Sequence, residues 1–342
     1  PKPSAATAGI AVAVDLSDYQ DFGEVVDALC GAYVARAFAA LGARFEPGTQ
    51  AAVTGVVPAF DRLLPRLWAM LEADGIVDGD WRVLRRPDAD PDALLADLKS
   101  RFPGQAAETA MLARCGAALA EILAGRSDPL AVLFGTGDAE GLYGESRYAT
   151  ALNGLAATAL ERGIGDRTGL RVLEIGGGTG GTTAHLLALL PSGGSYRFTD
   201  VSQAFLDRAR QRFGGAPGLQ TGLLDIERDP AGQGVGADHD VAVAVNALHA
   251  TRDLRATVAH ARATLRPGGL LLLGEVTGTP GWLDLVFGTL EGWWRFADGD
   301  LRPASALLDA DRWRSLLAEC GFDAVEVVSD GCLLYTSPSP RD

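Results

Sequence analysis

The sequence predicts an α/β protein: a mostly parallel sheet covered by helices on both faces and preceded by a mainly helical cap. Three observations carry this. Beyond residue 165, apolar runs of strand length alternate with helical stretches; ahead of it, apolar residues recur almost throughout at helical spacing; and the first strand of the alternating part, Val172-Leu-Glu-Ile175, runs directly into Gly176-Gly-Gly-Thr-Gly-Gly181. Continuous apolar strands joined by helical crossovers need a sheet buried on both sides, and such crossovers make neighbouring strands parallel.

From the N-terminus, Phe22, Val25, Val26, Leu29, Tyr33, Phe38 and Leu41 recur at three- and four-residue steps and predict a helix over 21–41, stopped by Gly42. Phe60, Leu63, Leu64, Leu67, Trp68 and Leu71 predict a second over 59–74, ending at Gly75. Trp81–Leu84 reads as a short strand, Pro91 opens a helix to Ser100, and Ala106 to Ala124 is a long helix closed by Gly125. These elements assign 48–165 to a helical cap or lid and leave 1–47 as linker or edge material. The core is expected over 166–331, with strands at 170–175, 195–199, 219–224, 240–245, 269–276 and 324–328 and helices at 182–190, 203–213, 253–265 and 309–320. Ligands of such sheets bind at the strand C-termini where the strand order reverses.

Composition narrows the partners. A formal charge of −14 would repel nucleic acid phosphates, and no lysine-arginine cluster interrupts it. No run approaches the roughly eighteen apolar residues of a membrane span. Cys30, Cys115, Cys320 and Cys332 are scattered without a CxxC pair, which fits reduced thiols in a cytosol and supports neither a zinc site nor a disulfide framework. The chain opens on Pro1 without a signal segment and reads as an excerpt of a longer polypeptide. At the other end, 332–342 resembles a translated sequencing-library adapter and is expected to be a non-native tail.

The glycine stretch carries the first chemical clue. Glu174 lies inside the strand, and the spacing Glu-x-Gly-x-Gly-x-Gly is tighter than the G-x-G-x-x-G of dinucleotide binders. Gly176, Gly178 and Gly180 let the backbone turn sharply and approach a ligand, while Asp200, ending the next strand, can accept both hydrogens of a ribose diol. This pairing describes a pocket for an adenosine-bearing cofactor. The second clue is His249 in Asn246-Ala-Leu-His-Ala-Thr251, after the fourth strand, because Glu275 ends the adjacent one. A carboxylate on one imidazole nitrogen fixes the tautomer, so that the other can accept a proton. His185, His239 and His260 read as ordinary surface or core residues. Asp225 is either a ligand group at the same rim or a loop-capping aspartate, and Trp293-Trp294 either packing or a wall that excludes water. Tyr143 and Asn153 either reach over the site or are satisfied interior residues.

Together, Ala131-Val-Leu-Phe134 with Leu142-Tyr143, the glycine loop, Phe198-Thr-Asp-Val-Ser202, Leu224-Asp-Ile-Glu227, Asn246 to Thr251, Leu265-Arg-Pro-Gly-Gly269 and Glu291-Gly-Trp-Trp294 resemble the C-methyltransferase domains embedded in polyketide synthases. The likeness runs from about Pro58 to Phe322; Gly135 stands where the family often has proline, and Ala247 replaces a larger aliphatic. The resemblance implies a Rossmann-like class I methyltransferase sheet, with the family's seventh, antiparallel strand missing here. It implies S-adenosyl-L-methionine, without a metal, held by Glu174, Gly176, Gly178, Gly180, Asp200, Val201, Asp225, Ile226 and Asn246. It further implies His249 and Glu275 as catalytic residues, with Tyr143, Asn246 and Trp293 positioning the substrate. The expected reaction methylates the α-carbon of a β-ketoacyl thioester on the phosphopantetheine of an acyl carrier protein, beside neighbouring synthase domains in the cytoplasm. The residues leave open an O- or N-methyltransferase of natural-product biosynthesis and a catalytically silent scaffold.

Overall fold

The computed structural model describes residues 19–135, 147–164, 168–278 and 280–325. In chain order the helices and strands are α1 (Tyr19–Ala40), α2 (Leu64–Ala73), α3 (Pro91–Arg101), α4 (Ala106–Leu123), α5 (Pro129–Phe134), α6 (Arg147–Ile164), β1 (Arg171–Ile175), α7 (Gly181–Leu186) and β2 (Ser195–Asp200). There follow α8 (Gln203–Phe213), β3 (Leu219–Leu223), β4 (His239–Val245), α9 (Leu254–Ala263), β5 (Leu265–Gly274), α10 (Gly281–Val286) and α11 (Ala310–Glu319). The chain divides into two compact units, a helical one holding the described residues of 19–135 and 278–294, and a sheet-bearing one holding those of 147–277 and 295–325.

In the helical unit, α1 packs against α2, α3 and α4. Leu29, Val34 and Phe38 of α1 are fully buried, and α4 lies so close that a methyl on Gly116 would meet the Tyr33 ring at 2.3 Å. The expectation of a linker over 1–47 therefore fails for 19–40: that segment is core helix. Residues 278–294 also join this unit, where Arg66 pairs with the buried carboxylate of Asp284 at 2.7 Å. At the other boundary α6, expected in the cap, buries Leu160 in the core of the sheet unit. The strand expected at 81–84 is reduced to isolated antiparallel bridges, Arg82 with Gln50 and Val83 with Val77.

The sheet unit carries five parallel strands in the order β3-β2-β1-β4-β5. Period-two alternation sorts each strand onto two faces. Val172, Tyr196, Phe198 and Val243 pack with Leu186 of α7 and Leu206 and Ala209 of α8 on one side. Leu173, Ile175, Ala242 and Ala244 pack with Val258 and Ala261 of α9 and Trp313 and Leu316 of α11 on the other. Aspartates at the helix starts hold the crossovers in place: Asp253 accepts the Ala256 N–H at 3.1 Å and Asp309 the Arg312 N–H at 2.7 Å. The chain turns back between β1 and β4, so the loops after these two strands flank the reversal of strand order. Of the strand expected at 324–328, Ala324 and Val325 are irregular and the rest lies outside the described residues, as does the tail at 332–342.

Candidate active site

The loop after β1 is shaped by glycine. Gly176, Gly178 and Gly180 have φ of 70°, 52° and 79°, a region costly for residues with a Cβ. The loop is tied to β2 at two points: the Gly177 N–H donates to the Thr199 carbonyl at 2.9 Å, and the Gly178 N–H to Asp200 Oδ2 at 3.0 Å. Asp200 Oδ1 accepts the Ser202 N–H at 2.8 Å. Each oxygen of an ionised carboxylate has a second lone pair, so this residue can brace the loop and still accept from a diol. Val201, beside it, is 69% exposed, an apolar surface at the strand end.

Glu174 does not face this pocket. Alternation along β1 places it on the inner face with Val172, where it is 2% exposed and its Oε2 accepts the hydroxyls of Thr183 at 2.6 Å and Tyr196 at 2.9 Å. Burial pushes its carboxyl up to about 7, against those two hydrogen bonds. Glu174 thus joins β1 to α7 and β2. Ile226 is buried against the sheet core. Asp225 is half-buried; its Oδ1 accepts the Glu227 N–H at 3.0 Å, while the Gln233 side chain holds its backbone N–H and carbonyl, each at 2.9 Å.

The loop after β4 carries the second cluster. Asn246 has φ of 48°, and its N–H donates to the Gly274 carbonyl at 2.7 Å while its Oδ1 accepts the Val276 N–H at 3.2 Å. It thereby binds the end of β4 to the end of β5. A single 3-10 turn, Leu248–Ala250, follows. Glu275, the residue after β5, points into this turn, and its side chain is 2% exposed. Its Oε1 accepts the N–H groups of Ala247 at 3.2 Å, Leu248 at 2.8 Å and His249 at 3.4 Å, and its Oε2 lies 2.6 Å from His249 Nδ1. In the tautomer that donates from Nδ1 to this carboxylate, the imidazole lone pair sits on Nε2. The His249 and Glu275 side chains therefore meet as expected from the sequence.

The sequence also points to Trp293, Asn153 and Tyr143. Trp293 belongs to the helical unit, where it stacks on Phe287 at 5.8 Å. Asn153, on α6, accepts the Thr182 hydroxyl at 2.7 Å and is buried. Tyr143 lies outside the described residues. His239 and His260 each place Nδ1 on a backbone carbonyl, of Thr264 at 3.0 Å and Ile226 at 2.8 Å. Sequence reasoning assigned no role to the buried pair of Arg302 and Asp298, which grips the carbonyl side of the His249 turn. An arginine in a loop carries no signal of that kind.

Residues 173–271 match the family model described as a methyltransferase domain. The fold matches the crystal structure of the CurJ carbon methyltransferase with a TM-score of 0.84 and 34% identity, covering 93% of this chain and 90% of that one. It also matches the CMeT domain of the citrinin polyketide synthase with a TM-score of 0.80 and 28% identity, over 90% and 88% of the two chains. The chain belongs to the carbon methyltransferase domains of polyketide synthases. This methyltransferase domain is 38% identical, over 94% of its length, to the non-reducing polyketide synthase ausA of Aspergillus calidoustus, and 38% identical over 79% to the polyketide synthase ThaQ of Burkholderia thailandensis. It spans 14% of each of these relatives. The domain is an S-adenosylmethionine-dependent methyltransferase with a Rossmann-like class I sheet. Its residues fit that cofactor: a methyl on Gly176 or Gly180 would strike Ala247 or Phe213 within 2.7 Å, so the loop packs this closely only as glycine, and carboxylates and an exposed valine stand at the strand ends.

Proposed function

We propose that this domain methylates the α-carbon of a β-ketoacyl thioester carried by an acyl carrier protein, with His249 as the base and Glu275 as its orienter. Bound S-adenosylmethionine would supply an electrophilic sulfonium methyl, whose S–CH3 bond would break as the new C–C bond forms, releasing S-adenosylhomocysteine. The chain's own residues do the rest. Asp200 would hold the ribose diol, Val201 would cover the adenine, Asp225 would accept from its amino group, and the glycine loop would border the sulfur end.

The α-carbon lies between two carbonyls and is acidic enough that a neutral imidazole removes its proton without a metal. Nε2 of His249 takes this proton, and the carboxylate of Glu275 on Nδ1 stabilises the imidazolium that results. The Asn246 amide, held at a positive φ at the base of the same turn, offers an N–H donor to the acceptor carbonyl. The observation that carries this reading is the 2.6 Å contact of His249 with Glu275, next to the loop shaped by Gly176. The domain is read as one part of a larger cytoplasmic synthase, with carrier and neighbouring domains as its partners.

The test is to incubate the domain with methyl-labelled S-adenosylmethionine and a β-ketoacyl thioester and locate the label by mass spectrometry. Label on the α-carbon is expected. Label on an oxygen or nitrogen makes the domain a different methyltransferase, and cofactor binding without transfer to any acceptor makes it a silent scaffold.

A further inference from the structure

We propose that Arg302, held by Asp298, is a positioning residue that sets the direction of the His249 imidazole; this rests on the reading of His249 as the base. The Arg302 side chain is 0% exposed. Its Nε donates to Asp298 Oδ1 at 2.7 Å, its Nη1 to the carbonyl of His249 at 2.8 Å, and its Nη2 to the carbonyls of Thr251 at 2.7 Å and Arg252 at 3.2 Å. The other oxygen of Asp298 accepts the N–H of Leu254, the first residue of α9, at 2.9 Å. The pair thus clamps the backbone from the catalytic turn to the start of the following helix.

The turn is gripped by opposite charges at its two ends. Glu275 takes amide N–H groups on the approach side, and Arg302 takes carbonyls on the exit side. Peptide dipoles of a helical turn point that way, so a carboxylate at the first end and a guanidinium at the second are each favourable. His249 is where the two grips meet: its N–H faces the carboxylate and its C=O the guanidinium. Both peptide planes at its Cα are fixed, and the contact of Nδ1 with Glu275 fixes the ring. An isolated 3-10 turn has poor hydrogen-bond geometry and needs such support to hold one orientation.

Burying an ion pair costs desolvation that apolar packing would avoid, so an ion pair at this place fits a need for orientation more than for stability. A planar fork is required, because four carbonyls, of His249, Thr251, Arg252 and Ala306, and a carboxylate are bonded from one group in fixed directions.

Arg302→Lys keeps the charge and removes the fork. We expect a folded protein by circular dichroism, unchanged S-adenosylmethionine affinity by calorimetry and an unchanged acceptor KM, with kcat lowered about tenfold or more. Nitrogen-15 spectra of His249 should move from the single Nδ1–H tautomer to a mixture. In a His249→Ala background the same substitution should change the residual rate by less than about twofold, because the two residues act as a unit. A kcat within about twofold of wild type, or a fall as large without His249 as with it, overturns the proposal. Should Arg302→Lys not fold, the isosteric Asp298→Asn carries the same expectations and the same outcomes. The tautomer measurement needs no turnover, so it separates the two readings: wild-type activity in His249→Ala rejects the base, whereas an unshifted His249 spectrum rejects the brace.

Discussion

A methyl group on Gly176 would lie 2.7 Å from the Cβ of Ala247, which stands just ahead of the turn bearing His249. The two loops touch because β1 and β4 are neighbours where the strand order reverses. The backbone of the glycine loop and the backbone that carries His249 are therefore packed against each other.

Gly176→Ala tests this contact. The position has φ of 70°, so the new side chain is strained by about 1–3 kcal/mol before its clash with Ala247 is counted. Cofactor affinity should fall about tenfold or more, with a lower melting temperature. Unchanged binding by calorimetry would show that the loop has room the structure denies it.

Glu275→Gln probes the tautomer. The amide can still accept from the Ala247 and Leu248 N–H groups, but its NH2 would face Nδ1 and turn the imidazole proton to Nε2, where the proton of the substrate has to go. Turnover should drop by about two to four orders of magnitude while S-adenosylmethionine still binds. Steady-state kinetics with calorimetry reads both, and a variant with near wild-type kcat would remove Glu275 from the account.

Much of this site was legible in the sequence because parallel strands bring every loop at their C-terminal ends to one rim, so that Asp200, His249 and Glu275 could be placed together from the strand pattern. What period-two alternation also says, that Glu174 must share the face of Val172, was outweighed by its place in the glycine motif. The burial of Ile226 was not legible either, since the loop after β3 folds back onto the core. The helix α6 was missed because Ala149, Ala151, Ala156 and Ala157 dilute its apolar period. The return of 278–294 to the helical unit depends on contacts remote in sequence, such as Arg66 with Asp284, and no local pattern announces them.

Glu174→Gln should change the dependence of stability on pH. The folded carboxyl is raised to about 7 by burial, so the folded state binds a proton that the unfolded state has already released between about 4.5 and 7. Stability from this group is thus complete below about 4.5 and lost as pH rises through 7. Glutamine keeps an acceptor for Thr183 and Tyr196 without the charge, so the variant should lose this slope and gain on the order of 2 kcal/mol above pH 7. Denaturant melts at pH 5 and pH 8 would contradict this if wild type and variant differed equally at both.

Asp200→Asn should weaken S-adenosylmethionine binding about ten- to a hundredfold, because an amide NH2 then faces either the Gly178 or the Ser202 N–H and one acceptor for the diol is lost. At saturating cofactor the rate should recover most of its value. A rate that stays low at saturation would mean that Asp200 acts on the chemistry and not on binding.

The most direct measurement is methyl transfer to a β-ketoacyl thioester by His249→Ala, with S-adenosylmethionine affinity measured on the same preparation. The account predicts a rate lower by at least about a hundredfold with cofactor affinity within about twofold of wild type. Transfer at the wild-type rate, with the methyl group on the α-carbon, would contradict it.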